Sequence, residues 1–555
     1  MNVASFVLEC ARREPDAPAI HFPDGRRGDG RVRYACFTNR QLDEESDWIA
    51  RGLEAAGIGR GIRSALMVRP SLELFALTLA LFKVGAVPVM VDPGIGLRRL
   101  RRCLEEAEPT AFIGVPAAHA ARIAFGWARK TLRVPVTVGR RWFWGGPTLA
   151  ALRERGRSDE PYSVAATRDD EEAAILFTSG STGPPKGVVY RHGNFAAQVE
   201  AIRGLGTIER GEVDLPTFPL FALFDPALGM SAVIPEMDPT RPAEVDPQRI
   251  IDAVEEFGAT NLFGSPALLD TVGRYGEERG VKLSTLRRVI SAGAPVPAPV
   301  MERFLKLLPA GSEVLTPYGA TECLPVACIS SREVLAETAA RTEHGAGVCV
   351  GAPVPSVDVR ILAIDDGPIE KWRADLELAQ GEIGEIVVRG PQATESYYNR
   401  PEETALAKIA ASEGGFWHRM GDLGYLDPDG RLWYCGRKSD RVATADRTLY
   451  TVACEGVFDA HPQVRRTALV GVPDAGAERP VLCVELLASE KGADRDRVSA
   501  ELLELGARHA HTRAIRTVIF HPSFPVDIRH NAKIGRPELA RFAARKLRSR
   551  VTAAA

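Results

Sequence analysis

Residues 175–189, ILFTSGSTGPPKGVV, constrain the fold more than any other stretch of the chain. An apolar, strand-like run breaks into Thr178, Ser179, Gly180, Ser181, Thr182 and Gly183, crosses Pro184 and Pro185, and returns through Lys186 and Gly187 to Val188 and Val189. The glycines permit tight turns, and the loop offers backbone amides and hydroxyls that donate to phosphoryl oxygens beside the compact charge of Lys186. Its order is not that of the nucleotide loop GxxxxGK[ST], because Gly187 follows Lys186 and no hydroxyl stands where that motif places one for magnesium. On local chemistry alone, a phosphate cradle and a plain surface turn are both open.

With 555 residues, 45% of them hydrophobic, the chain has material for a large core divided among several domains. Its 70 basic and 72 acidic side chains nearly cancel, which gives no argument for nucleic acid as a partner. The first twenty residues carry an acidic residue inside their apolar segment and no long hydrophobic core, so a cytoplasmic protein without a secretory signal is expected. Residues 72–91 are the most hydrophobic, but Glu73, Lys83, Gly85 and Pro88 interrupt them. That pattern predicts a buried helix followed by a buried strand and no transmembrane segment. The nine cysteines lack paired ligand spacing and read as reduced thiols, not a disulfide frame or a zinc site.

Helices are expected at 3–13, 39–53, 73–81, 97–107 and 118–127, and strands at 32–34, 64–68, 86–91, 111–115 and 134–138. This alternation is that of a layered α/β domain. RRWFWGG at 140–146 mixes cations and aromatics, and reads as a solvent-facing loop packed back on its own domain. Past the central loop, PLFALFDPALG offers Phe218, Phe221 and Phe224 as pocket lining, with core packing as the alternative. Further pocket candidates are Leu262 and Phe263 on a strand predicted at 260–263, Gly264 just after it, and Ala292 and Gly293 in the turn SAGAPVP. A strand at 314–316 delivers Tyr318, Gly319, Thr321 and Glu322 at its carboxyl end, where open α/β sheets place ligands. Short β runs then suggest a separate β-rich subdomain at about 350–436. The charged turn 436–440 reads as a linker, and a small α/β domain follows, in which turn-forming residues flank Lys533.

Together, the central loop, YGATE, HRMGDLGYLDPDG, GRKSDRV and the terminal NAKIGR stand in the order seen in the adenylate-forming superfamily of acyl-CoA synthetases, adenylation domains and luciferases. The chain resembles that superfamily over nearly its whole length. Within it, FTSGSTGPPKGVVYRH, VDLPTFPLFALFDPALG, TPYGATECLPVA and FPVDIRHNAKIGR are most similar to the β-lactone synthetases of bacterial olefin biosynthesis.

The resemblance implies a large N-terminal domain at 1–436, a hinge at 437–441 with Ser439 as pivot, and a mobile C-terminal domain at 442–555 carrying a catalytic lysine. It implies that ATP with Mg2+ converts a carboxylate to an acyl-adenylate and pyrophosphate. Residues 178–186 would hold the β- and γ-phosphates, Glu322 the metal, Thr321 the α-phosphate, Tyr318 the adenine and Asp422 the ribose, with Arg437 beside it. Lys533 would be brought over the reacting carboxylate. Thioester-forming relatives carry a lysine and glycines just after the hinge motif, where this chain has VATADRTLYTVACE, with Ala443 and Asp446 near those places. Ala222 stands where many relatives have histidine.

These departures suit capture by the substrate's own 3-hydroxyl, making a β-lactone from a 2-alkyl-3-hydroxy long-chain fatty acid. The alternatives are a long-chain acyl-CoA or acyl-carrier ligase, and a binding protein without activity. His192 and His530 are candidate bases, and the sequence assigns neither. The resemblance also implies a complex with a hydroxyacid-producing reductase and a β-lactone decarboxylase.

Overall fold

A computed structural model describes residues 1–178, 184–206, 208–474, 476–490, 492–526 and 533–554. Among these, two sheets carry most of the chain. The smaller runs in the order Val134–Thr137, Ala111–Gly114, Arg63–Met67, Val87–Met90, Glu172–Phe177 and Gly187–Arg191. Its first five strands are parallel and the last is antiparallel. The helices Asn39–Ala55, Leu72–Lys83 and Leu97–Ala107 supply the crossovers and cover. Asn39–Ala55 starts where Thr38 and Gln41 exchange side-chain and backbone hydrogen bonds, which satisfies two of the amides a helix start leaves unpaired.

The helix Leu72–Lys83 is buried along nearly its whole length, as a core helix between layers should be. Its one cation, Lys83, is fully enclosed and paired with Asp43 and Asp47 on the neighbouring helix. A lysine can be buried there because two carboxylates meet it. Among the described residues, no helix is long and apolar enough to cross a membrane.

The larger sheet begins with Val32–Thr38 and Pro18–Arg26, continues through the parallel strands Ser231–Val233, Val213–Pro216, Asn261–Gly264, Arg288–Ser291 and Glu313–Ala320, then turns antiparallel at Cys323–Ser330. The β-rich strands expected after residue 350 are present but are not separate. Val348–Pro353 pairs with Cys323–Ser330, and Leu432–Arg437, Phe416–Leu426, Gly384–Arg389 and Asp358–Leu362 extend the same sheet. The strand Pro18–Arg26 was not expected. Its proline, aspartate and glycine mimic a loop, yet Ala19 and Ile20 are buried in the core.

Beyond the charged turn, Val464–Asp474, Ala477–Leu486 and Val518–Phe520 form a three-stranded sheet flanked by Thr451–Asp459, Arg495–Ala507 and Arg536–Ala554. The molecule is thus a large mixed α/β body with a smaller C-terminal α/β unit.

Two buried carboxyls, Asp214 on Val213–Pro216 and Asp225 at the start of Asp225–Leu228, hydrogen-bond each other within the large sheet's cover. Burial pushes both pKa values up, that of Asp214 to about 7, and the neighbouring Asp214 charge adds to the rise at Asp225. The folded protein therefore keeps protons that the unfolded chain releases near pH 3.8. Their stabilising contribution is complete below that pH and is lost as pH rises towards 7 and above, at roughly 1.4 kcal/mol per pH unit per retained proton. Asp225→Asn should flatten the fall of the thermal midpoint across this window; an unchanged slope would show that the pair does not share a proton.

Candidate active site

The parallel strands of the larger sheet end together at Pro216, Gly264, Ser291 and Ala320, and the candidate residues lie on or just past these ends. Glu313–Ala320 and Cys323–Ser330 form a tight hairpin with Thr321 and Glu322 at its turn. Gly319 makes the turn possible, since a Cβ there would stand 2.6 Å from the Cys323 carbonyl oxygen.

Glu322 is held from several directions. The Tyr397 hydroxyl donates to its Oε1 at 2.7 Å, and burial together with the Glu322 charge raises the phenol's pKa, so it remains a donor. The Thr394 amide and hydroxyl donate to the Glu322 carbonyl at 2.8 and 3.2 Å. Lys408 donates to the Thr394 carbonyl from a half-buried position; burial lowers its pKa to about 7, and the Glu322 charge opposes that fall. Lys186 Nζ lies 4.7 Å over the Tyr397 ring.

Tyr397 also belongs to a segment that pairs with the strand leaving the central loop. The Tyr398 amide donates to Gly187 at 2.7 Å, the Val189 amide to Ser396 at 3.1 Å, and Val188 bridges Tyr397. The Tyr190 hydroxyl donates to the Thr321 carbonyl and accepts from Gln198 Nε2 at 3.2 Å. At the loop's two ends, the Thr178 amide donates to the Lys186 carbonyl at 3.1 Å, and the Lys186 amide to Thr178 Oγ1 at 3.4 Å. Ser179, Gly180, Ser181, Thr182 and Gly183 lie outside the described residues.

A second group surrounds Asp422. This carboxylate is 4% exposed on Phe416–Leu426, directly across the ladder from Arg437. Arg437 Nη1 donates to Asp422 Oδ1 and the Tyr318 hydroxyl to Oδ2, both at 2.7 Å. Burial and Asp422 together raise the Tyr318 pKa, and Asp422 raises that of Arg437 despite its burial. An ionised carboxylate oxygen can accept more than one bond, so each has capacity for a further hydroxyl.

The pocket candidates divide. Phe218, Phe221 and Phe263 come together, with ring centroids 5.5 Å and 4.3 Å apart along the series. Leu262 does not join them: side chains alternate along a strand, and Leu262 is fully buried in the core on the opposite face from Phe263. Phe224 packs instead towards Phe195, Val199 and Leu228, so it serves the core. A Cβ on Gly264 would meet Leu268 at 3.0 Å. Ala292 and Gly293 follow the end of Arg288–Ser291, where Gly293 takes φ +95°. Ala222 is completely buried.

His192 is a packing residue: it is buried, its Nδ1 accepts from the Val3 amide at 3.2 Å, and burial lowers its pKa to about 4. His530 lies outside the described residues.

At the linker, Ser439 is exposed and donates to Asp440 Oδ1 at 3.2 Å, while its neighbours are pinned. Lys438 pairs with Glu385 at 3.0 Å and Arg441 with Asp366 at 2.6 Å. Lys533 is exposed three residues before Arg536, which pairs with Glu455 and, at 3.4 Å, with Asp440. Desolvation and the Asp422 charge raise the pKa of half-buried Tyr434, with smaller influences from Arg437, Arg536 and Asp440, and the Tyr434 ring is 6.2 Å from Tyr318. The lysine-bearing motif is thus tied to the linker through Arg536 and Asp440. Ala443 and Asp446 lie on or beside a small hairpin, bonded to Glu478 and to Thr444 and Arg447.

Tyr397, Thr394 and Lys408 were not singled out in the sequence. A buried-lysine signal was present in TALAKIAA, where Lys408 interrupts an apolar run, but its partner lies more than eighty residues away.

The model for AMP-binding enzymes matches residues 7–398. The olefin β-lactone synthetase of Stenotrophomonas maltophilia is 54% identical, covering 99% of each chain. That of Xanthomonas campestris is 52% identical, covering 98% of each. Among solved structures, the amide bond synthetase McbA of Marinactinospora thermotolerans shares the fold with a TM-score of 0.77 at 24% identity, over 97% of this chain and 99% of that one. The chain therefore belongs to the AMP-binding, acyl-adenylate-forming enzymes and is closely related to the olefin β-lactone synthetases.

Proposed function

We propose that this enzyme is an ATP-dependent β-lactone synthetase acting on a 2-alkyl-3-hydroxy long-chain fatty acid. The placement of Tyr397 and Lys408 about Glu322, with Lys186 over the Tyr397 ring, and of Arg437 and Tyr318 on Asp422 carries the adenylation half of this reading. The lactone half is supported by near-full-length similarity to relatives bearing that name.

Among the described residues, no three ligating side chains cluster, and Glu322 is a single carboxylate oriented by the Tyr397 hydroxyl. This donor set fits Mg2+, which is usually held by one or two carboxylates while phosphates and waters complete its shell. Bound there, the ion would offset charge on the transferring phosphoryl group. Tyr397 orients the Glu322 carboxylate, and Lys408 with Thr394 fixes the backbone that carries it. Lys186 and the rest of 178–186 cradle the outer phosphates, Thr321 meets the α-phosphate, Tyr318 stacks on adenine, and Asp422 accepts from the ribose hydroxyls.

Lys533 approaches the reacting carboxylate by rotation of the C-terminal unit about Ser439. In the second half, the substrate's 3-hydroxyl oxygen bonds to the activated carbonyl carbon and closes the four-membered ring, the bond from that carbon to the phosphate oxygen breaks, AMP leaves and the hydroxyl proton passes to solvent. The residues' task is to hold hydroxyl and carbonyl within reach, and Phe218, Phe221 and Phe263 border the alkyl chains. A reductase that makes the hydroxyacid and a decarboxylase that consumes the lactone are the partners this chemistry calls for.

Purified protein with Mg-ATP and a 2-alkyl-3-hydroxy acid should yield lactone, AMP and pyrophosphate without coenzyme A; a product formed only as a thioester would establish the acyl-CoA ligase alternative. Lys533→Ala should lower adenylation about a hundredfold or more while ATP affinity stays within a few-fold, as expected for a group acting on transition-state charge. Equal loss of both would contradict its role. Tyr397→Phe removes a hydrogen bond to a charged group, worth about 1.5–3 kcal/mol, and should raise the Mg2+ concentration for half-maximal pyrophosphate exchange about tenfold or more. An unaltered Mg2+ dependence would separate Tyr397 from the metal site.

A further inference from the structure

The outer edge of the six-stranded sheet has a charge pattern unlike the rest of the chain. From Pro109 to Arg153 there is no aspartate or glutamate, although the average composition would place about six there. The same stretch carries Arg122, Arg129, Lys130, Arg133, Arg140 and Arg141 around the helix Pro116–Phe125 and the edge strand Val134–Thr137. Of the seven large apolar side chains exposed among the described residues, Ile123, Phe125, Trp142 and Phe143 fall within this one region. Phe143 is 80% and Trp142 55% exposed.

The loop that presents them is built, not slack. Trp144 packs back on the domain: it stacks on buried His119 at 5.2 Å, and its Nε1 donates to Thr137 Oγ1 at 2.9 Å. Arg141 donates to the Gly146 carbonyl across the loop. Gly145 and Gly146 take φ +73° and +74°, and a Cβ on Gly146 would stand 2.0 Å from the Pro135 carbonyl oxygen. Trp142 and Phe143 rest against Trp144 at 5.2 and 5.4 Å, leaving their outer faces in solvent. One aromatic thus serves as a pedestal while two remain raised between Arg140 and the domain edge.

We propose that the loop 140–146 is an interfacial anchor by which the enzyme docks on an anionic phospholipid surface. Trp142 and Phe143 enter the headgroup boundary and Arg140 and Arg141 meet the phosphates. Aromatic rings flanked by cations are the side chains that partition to this boundary. The aromatics form a raised knob, not the flat, charge-depleted centre of a protein interface. The loop leaves the edge strand at the same end of the sheet at which Glu172–Phe177 leads into the phosphate loop, four strand spacings or roughly 20 Å away, and runs back along the sheet edge to Pro135. Docking would turn the site's end of the sheet towards the membrane. That advantage rests on the long-chain substrate proposed above, whereas docking itself is measured without substrate, so either reading can fail alone.

The test is flotation of the full-length protein with vesicles of phosphatidylcholine alone or mixed with phosphatidylglycerol. Binding to the anionic vesicles should exceed binding to the neutral ones at least tenfold and fall with added salt. Trp142→Ala combined with Phe143→Ala should weaken it by tenfold or more, and Arg140→Gln about fivefold. Pyrophosphate exchange in vesicle-free buffer should stay at the wild-type level in these variants, showing them folded. No binding, equal binding to both vesicle types, binding indifferent to the aromatic substitutions, or attachment only to another protein would each overturn the proposal.

Discussion

The hydrogen bond from Tyr397 to Glu322 joins parts of the molecule that have separate cores. Glu322 comes from the turn at the end of the larger sheet's parallel block, while Tyr397 is bridged to the last strand of the smaller sheet. The strand Gly187–Arg191 reaches Thr321 a second time through the Tyr190 hydroxyl. Because the two ends of the central loop are bonded to each other at Thr178 and Lys186, fixing that strand also fixes the loop's base. The proposed phosphate and metal sides of the site are therefore joined by one network that draws on both sheets. Lys408 adds an internal cation whose removal would leave Glu322 with less opposing charge in a water-poor setting, where such imbalance is costly.

The Asp422 group solves a different problem. A buried carboxylate is expensive unless its lone pairs are met, and Arg437 and Tyr318 meet one oxygen each. The partners also connect outward: Tyr318 lies beside Tyr434, and Tyr434 lies within the field of Arg536 from the C-terminal unit. The Arg536 charge from the motif proposed to deliver Lys533 is therefore felt beside the residues proposed to hold the nucleoside.

Much of this was legible in the sequence because it is local chemistry. The break at Thr178, the strand that delivers Tyr318 to Glu322, and the alternation of amphipathic helices with short apolar strands are each written in consecutive residues. Tyr397 and Lys408 were not legible, since their meaning comes from contacts across 75 and more residues. The strand Pro18–Arg26 was hidden by its own Pro, Asp and Gly and exists because Ser231–Val233 and Val32–Thr38 offer it partners on both sides. Leu262 and Phe263 were grouped as neighbours, but strand alternation separates them. RRWFWGG is the solvent-facing loop packed back on its own domain that was expected: Trp144 folds back, and Trp142 and Phe143 face solvent.

The places where relatives that form thioesters carry distinctive residues are, in this chain, satisfied internally. Ala222 is sealed in the core, Asp446 is bonded to its neighbours Thr444 and Arg447, and the Ala443 amide is bonded to Glu478. A nucleophile already attached to the acyl chain needs no approach route of its own, only a held conformation. The linker is built compatibly: Lys438 and Arg441 are pinned by Glu385 and Asp366, while exposed Ser439 between them bonds only to its neighbour Asp440 among the contacts described here. The proposed rotation at that residue would have to release Arg441 from Asp366, since Arg441 lies beyond the pivot, while the Lys438–Glu385 pair and the partners of Glu322 and Asp422 stay in place, leaving the activated carbonyl facing the hydroxyl that must close on it.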